Sequence, residues 1–277
     1  MTFVVTKADG SQQQFSKDKI IRTAMRMGAD RRRAFEVADR VESKLYNGIP
    51  TAKILQLIFL HMRRDKPAIS HLYDLRKGLS LMNSKPEFET FIQILLAHNG
   101  FEVTPNQILP GRCAEHEVDA IATKDGVTYF VEAKHHYSYH ALTGLDESRI
   151  ARAILEDVAE GYNLGRNQLK IDRALIVTNT KYSEQATRYA NCRDILLVGW
   201  NSPPNLSVQS MIEEKNLYPL SCLKSLKRED RGRLVEAGIL LIDQMTKEDP
   251  TNLAKKTGVP QHILEKIREE IDQLSET

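Results

Sequence analysis

The dipeptide Asp125-Gly126, set between residues 118–124 and 127–134, constrains this chain more than any other feature. Asp-Gly between two β-prone runs signals a two-residue hairpin, because both turn positions need positive φ. If Asp125-Gly126 is the loop, Lys124 pairs with Val127, and counting back along the strands sets Asp119 opposite Glu132. Directly opposed residues share a face, with Cα atoms about 4.5–5.5 Å apart. Side chains alternate along a strand, so Lys134 joins that face two residues on. Two carboxylates and an ammonium are expected to converge on one spot. Like charges directly opposite are destabilising in a sheet, and a divalent cation removes that cost.

Two carboxylates beside a lysine suit Mg²⁺ or Mn²⁺, hard cations that prefer oxygen ligands. Such a metal activates water and stabilises charge on a phosphate. The lysine positions that water or neutralises the oxyanion. The parts fit phosphodiester hydrolysis. The spacing alone is equally compatible with a surface hairpin carrying a cross-strand ion pair.

The flanking segments extend the pattern. Ser84-Lys85-Pro86-Glu87 reads as a helix start with Glu87 in a capping box. Phe88, Phe91, Ile92, Leu95 and Leu96 keep helical spacing, and Asn99-Gly100 ends the helix. A strand follows from Phe101 to Thr104. After the hairpin come a helix over 146–160, a buried strand over 174–178, a helix over 182–190 and a buried strand over 195–198. The order is helix, three strands, helix, strand, helix, strand. This order and these residues resemble the PD-(D/E)xK nuclease superfamily, and within it the Mrr-type restriction endonucleases. The resemblance covers residues 84–203, including Thr178-Asn179-Thr180, Ser183, Ala186, Tyr189-Ala190 and Gly199-Trp200. It implies a mixed sheet flanked by helices, with Asp119 and Glu132 as metal-binding acids, Lys134 as the catalytic lysine and Glu89 completing the metal site. Val118 replaces the name-giving proline. Glu132 stands where Mrr-type proteins commonly carry glutamine. Neither departure removes a ligand.

Neighbouring residues have plainer readings. Glu87 reads as a helix cap and Glu117 as a solvated strand residue. His135, His136 and His140 lack the helical zinc-binding pattern and read as loop histidines. Gln168 is placed near the site.

At 277 residues the chain has room for two or three domains, and 41% hydrophobic residues support globular cores. Cys113, Cys192 and Cys222 are far apart with no Cys-x-x-Cys, which argues against a zinc ribbon or a disulfide framework. No apolar run approaches the roughly 18–20 residues of a membrane span. The N-terminus lacks a basic segment leading into an apolar signal core. A cytoplasmic protein without a membrane partner is expected. The net charge of +2 gives no support to nucleic-acid binding by itself.

Residues 1–83 form a separate segment. Phe3 to Lys7 and Gln12 to Phe15 read as a hairpin, followed by a helix capped by Ser16 and helices over 30–46, 51–63 and 68–82. Val5-Thr6-Lys7-Ala8-Asp9-Gly10, Phe15-Ser16-Lys17-Asp18-Lys19-Ile20, Asn47-Gly48-Ile49-Pro50-Thr51 and Tyr73 resemble an ATP-cone, the nucleotide-sensing module of ribonucleotide reductases and their repressor. The resemblance implies ATP or dATP as an effector, with Lys7 and Lys19 at its phosphates and Thr51 near it at a helix start, where backbone amides favour anions. Ala8 departs from the usual polar residue, and Leu55 from a position that is histidine in some members. There is no P-loop.

Residues 206–277 read as an all-helical third domain. Asp249-Pro250 starts a helix with a cap and a proline at its first position. Leu253 to Pro260 then leads into a helix from His262. This resembles a helix-hairpin-helix unit, in which turn amides hold a backbone phosphate without reading sequence. Lys255, Lys256 and Gly258 are its expected DNA contacts.

The combined expectation is a multidomain α/β protein. It has an ATP-cone (1–83), a restriction-endonuclease-like core (84–205) and a helical tail (206–277), and acts as a metal-dependent nuclease on duplex or branched DNA. An effector has to favour one conformation or oligomer over another, and a homo-oligomer is the expected assembly. The alternative is a nucleotide-sensing DNA-binding regulator that keeps the nuclease fold without catalysis.

Overall fold

The computed structural model describes residues 3–7, 10–27, 29–62 and 74–275. Contacts gather the chain into two units. One comprises Met1–Tyr73, Leu223–Asp230 and Glu248–Thr277, the other Asp74–Cys222 and Arg231–Lys247.

The first unit begins with strands β1 (Val4–Thr6) and β2 (Gln12–Gln14), paired antiparallel as the sequence predicts. Helices α1 (Lys17–Arg26) and α2 (Arg31–Glu42) follow. Ser16 occupies the cap position of α1 but makes no side-chain cap bond, whereas Asp30 caps α2 by accepting from Arg33 N–H at 2.7 Å. A two-residue strand, β3 (Ile49–Pro50), joins β1 in parallel, and α3 (Thr51–Met62) starts directly after it. Gly48 makes this return possible. Its φ of +83° is open to glycine, and its N–H donates to Val4 O at 2.8 Å. Val5, Ile20, Ala24, Val37, Val41, Ile54 and Ile58 fill the core. The helix expected over 68–82 lies partly outside the described residues, as does Tyr73; its described part is α4 (Leu75–Ser80), in the second unit.

The second unit is built on a five-stranded mixed sheet. A short wide turn over Ser84–Phe88 leads into α5 (Glu89–His98). Strands β4 (Glu102–Pro110), β5 (Glu115–Lys124) and β6 (Val127–Lys134) form an antiparallel meander. The hairpin register is the expected one, with Lys124 opposite Val127 and Asp125 and Gly126 at φ of 53° and 76°. A two-residue strand, β7 (Leu142–Thr143), precedes α6 (Leu145–Asn163), and β8 (Arg173–Thr178) then pairs in parallel with β6. After β9 (Lys181–Tyr182), parallel to β7, and α7 (Glu184–Cys192), β10 (Leu196–Val198) closes the order β10-β8-β6-β5-β4.

Each face of the sheet buries its own core. Ala120, Ala122, Val131, Leu175 and Val177 pack with Phe91, Leu95 and Leu96 of α5. Val118, Ile121, Phe130, Ala174 and Ile176 pack with Ala151, Leu155 and Val158 of α6. Gly161 lets α6 approach β4, since a Cβ there would lie 2.6 Å from Pro110 O.

The chain continues through α8 (Val208–Lys215), α9 (Arg228–Glu236), α10 (Ile242–Lys247), α11 (Pro250–Thr257) and α12 (Gln261–Ser275). Residues 206–277, read from sequence as one domain, are divided by their contacts. Met211, Ile212, Leu217, Leu240 and Leu241 are apolar positions buried in the core of the sheet unit, whereas α11 and α12 belong with the N-terminal unit. Asp249 caps α11 through Thr251 N–H at 2.8 Å, with Pro250 at the first helical position. Gly258 ends α11 at φ +70°, and its N–H donates to Ala254 O at 2.9 Å.

Candidate active site

Asp119 is buried on β5, and two contacts hold it. The Gln93 amide on α5 donates to its backbone carbonyl at 2.8 Å, and its Oδ2 accepts the Ala133 N–H at 2.7 Å. This corrects the expected cross-strand pair. The ladder between β5 and β6 ends at Ala120 and Val131. Beyond it the Asp119 carboxylate, not a backbone carbonyl, receives the β6 amide. On the other side of β5, Asn106 turns to a φ of 49°, between Pro105 opposite Ala120 and Gln107 opposite Val118. Asp119 and Glu132 therefore lie just past the last pair of the β5–β6 ladder without being laddered partners.

The acids are shared between two ammonium groups. Lys134 Nζ lies 2.8 Å from Glu132 Oε1 and 3.3 Å from Glu147 Oε2, on the first turn of α6. Lys85 Nζ lies 3.0 Å from Glu89 Oε1 and 4.0 Å from both Glu117 and Asp119. Glu89, Asp119 and Glu117 thus converge on one cation, and Glu132 and Glu147 on another. Lys85 and Glu147 were not singled out from the sequence. Their signals were the i,i+4 spacing of Lys85 to Glu89 and the acidic first turn of α6.

Burial raises the proton affinity of Asp119, and the charge of Glu89 adds to it, against the Ala133 N–H and the two lysines. Burial likewise raises Glu132, helped by the charges of Asp119 and Glu147 and opposed by Lys134. For Lys134, burial works against the ammonium, but Glu132 and Glu147 outweigh it and hold the group above the usual lysine range.

Among the described residues, no three His, Cys, Asp or Glu side chains are drawn together as a ready metal cage. The donor chemistry nonetheless fits a hard divalent cation. All the candidate donors are carboxylate oxygens, two of them are partly desolvated and pushed up by neighbouring negative charge, and three already surround one positive group.

The neighbouring predictions divide. Glu87 does reach back as a cap, accepting Asn83 N–H at 2.8 Å, and also pairs with Arg231. The histidines are structural. His135 bonds Ser84 Oγ and Leu79 O, and His136 Nε2 lies 3.0 Å from Thr143 Oγ1. Thr143, Thr178 and Thr180 form a buried hydroxyl cluster in which Thr178 donates to Lys134 O at 2.7 Å, fixing the end of β6. Gln168 is exposed ahead of β8, whose first residue stands opposite Tyr129, far along β6 from Lys134.

In the N-terminal unit, Lys19 and Thr51 line one cavity of about 170 Å³ with Val5, Phe15 and Leu55. Lys7 is not among its lining residues. In the tail, Lys255 is exposed, Lys256 pairs with Glu248 at 3.3 Å, and the space around Gly258 is open.

Helices on both faces of a mixed sheet, with Asp119 in mid-β5 beside Glu132 and Lys134 at the end of β6, define a restriction-endonuclease-type domain. The restriction endonuclease family matches residues 81–201, and the family described as AF1548-like, C-terminal matches residues 218–275. The chain is 37% identical over 147 residues to an uncharacterized protein of Archaeoglobus fulgidus, covering 53% of this chain and 78% of that protein. It is also similar to the crystal structure of AF1548, a protein of unknown function, with 29% identity and a TM-score of 0.59 over 68% of this chain and 97% of that one. The chain belongs to the same family as this Archaeoglobus fulgidus protein. No helix among the described residues is long and apolar enough to cross a membrane.

Proposed function

We propose that the protein is a metal-dependent DNA endonuclease. The carrying observation is the meeting of Asp119 in mid-β5 with Glu132 and Lys134 at the end of β6, with Glu89 of α5 and Asp119 sharing one positive partner. Asp119, Glu132 and Glu89 are the residues that would hold Mg²⁺ or Mn²⁺. The cation supplies Lewis acidity at the phosphate and lowers the proton affinity of its water. Lys134 stays charged at neutral pH because two carboxylates face it, so its role is to orient water and neutralise charge developing on the phosphate, not to remove a proton. Glu147 keeps it in that state.

The segment 1–83 is read as an ATP-cone. Support comes from Lys19 and Thr51 meeting at one cavity at the start of α3. At about 170 Å³ the cavity is smaller than the roughly 300–1,000 Å³ of whole-ligand pockets, so it seats part of ATP or dATP, with Lys7 acting at its rim. The turn between α11 and α12, with Lys255, Lys256 and Gly258, is read as a helix-hairpin-helix contact to DNA phosphates. Nucleotide then shifts the protein between conformations or homo-oligomers of different activity.

The test incubates wild type and Lys134→Ala with plasmid and branched DNA, Mg²⁺ or Mn²⁺, and ATP, dATP or neither. Strand cleavage by wild type alone is the expected result. DNA binding by both proteins with no cleavage in any lane would replace this reading with the DNA-binding regulator. Cleavage unchanged at saturating nucleotide would remove the effector.

A further inference from the structure

Arg76, on α4, is a half-buried guanidinium that the proposed chemistry does not use. Its central carbon lies 5.7 Å from the Tyr139 ring centre and 5.9 Å from that of Trp200. Both rings are partly exposed. Arg76 Nε is shielded from solvent and has no hydrogen-bond partner among the described residues. The charge of Asp74 favours the guanidinium, while its Oδ1 caps α4 by accepting from Lys77 N–H at 3.1 Å. A partly desolvated cation with a buried, unsatisfied N–H donor is costly unless a ligand completes it. Two aromatic rings lie within cation–π reach of the guanidinium, and its planar fork of donors suits the oxygens of a phosphate.

Its place on the fold connects it to the candidate active site. Strands β6, β8 and β10 are parallel, so their C-terminal ends share one edge of the sheet. Lys134 ends β6, Tyr139 lies in the loop that follows, and Trp200 comes just after β10. The joints are rigid. Trp200 N–H donates to Thr180 O at 2.7 Å, the Thr180 hydroxyl lies 2.9 Å from Thr143 and 3.2 Å from Thr178, and Thr178 bonds Lys134 O. Helix α4 is equally fixed, since a Cβ on Gly78 would lie 2.5 Å from Cys222 Sγ.

We infer that Arg76, beside the rings of Tyr139 and Trp200, is a binding site for a backbone phosphodiester of the nucleic-acid substrate, on the same strand edge as Lys134. This rests on the nuclease reading and adds a contact that anchors the strand beside the bond to be cut. A phosphate contact carries no sequence information, so its loss weakens binding to all sequences alike.

The test measures binding of a labelled duplex by fluorescence anisotropy in EDTA, across a salt series, for the full-length wild type and Arg76→Gln. Glutamine keeps a planar group beside the rings and removes the charge. The expected result is about tenfold weaker binding and a slope of log K against log salt smaller by about 1, with an unchanged melting temperature. Trp200, the only tryptophan, gives a second readout on wild type that does not depend on the variant folding. Its emission should change on adding duplex DNA, but not on adding inorganic phosphate at matched ionic strength. An equal salt slope in Arg76→Gln, or a Trp200 signal indifferent to bound DNA, overturns the site. A response to phosphate alone overturns its assignment to backbone. Wild type that neither binds nor cleaves DNA takes down the nuclease reading itself, and the site with it.

Discussion

The ion pair beside the start of α5 offers the sharpest test of the fold. Glu87 Oε1 lies 3.0 Å from Arg231 Nε, and the two side chains are 3% and 6% exposed. The second oxygen of Glu87 accepts Asn83 N–H at 2.8 Å, and Arg231 also donates to Leu81 O at 2.5 Å. Removing one partner of such a pair leaves a buried charge uncompensated and costs about 3–5 kcal/mol. Glu87→Ala also frees the Asn83 amide, adding about 1 kcal/mol. With a urea m-value of about 3 kcal/mol/M, the midpoint for unfolding of the sheet unit, followed by circular dichroism, should fall by about 1–2 M. The double variant Glu87→Leu, Arg231→Met should lose much less than the sum of the single changes, because apolar groups of similar size replace a buried pair at little cost. Glu89 follows Glu87 by two residues at the start of α5, so Glu87→Ala should also weaken metal binding in the protein that remains folded. Additive single effects, or a midpoint shift below about 0.3 M (under about 1 kcal/mol at that m-value), would refute the argument that this pair holds the turn.

Three further outcomes follow from the site. Glu147→Gln should move the basic limb of the pH–rate profile for cleavage to lower pH. Lys134 is raised by its carboxylates, so the stability this gives is present at neutral pH and is lost as pH rises through the raised value, and a thermal-melt pH series on both proteins checks this. Asp119 and Glu132 are raised instead by burial, so without metal their contribution favours the fold at acid pH and declines as pH climbs through their displaced range. Mn²⁺ binds the ionised forms, so its stabilising shift should grow over that same rise, reaching about 2.7 kcal/mol at one hundred times its Kd, and should largely vanish in Asp119→Asn. Gly161→Ala forces a Cβ to within 2.6 Å of Pro110 O and 2.8 Å of Gly111 Cα. It should destabilise the sheet unit by about 1–3 kcal/mol in urea melts while leaving cleavage per folded molecule unchanged.

The parts of the fold that could be read from the chain are those set by neighbours in sequence. Asp125-Gly126 dictated a turn, and with it the pairing of Lys124 with Val127. Asp249-Pro250 dictated a helix start, and Glu87 a cap, although its partner is Asn83 and not Ser84. Strands of two residues, β3, β7 and β9, are too short to carry a period and went unseen. The division of residues 206–277 between two cores was equally hidden, because an apolar period shows that a helix buries a face but not against what. The candidate site shows the same limit. Its acids on β5 and β6 were legible because hairpin register is local, yet counting could not reveal that Asp119 leaves the ladder to take the Ala133 amide. Lys85 and Glu147 reach the site from a turn and a helix start distant in sequence from the strands they meet. This difference has a functional consequence. The sheet holds Asp119, Glu132 and Lys134 in place, while Lys85 and Glu147 set the charge around them. Substitutions at the strand residues should therefore abolish the chemistry, and those at Lys85 and Glu147 should move its dependence on pH and metal concentration.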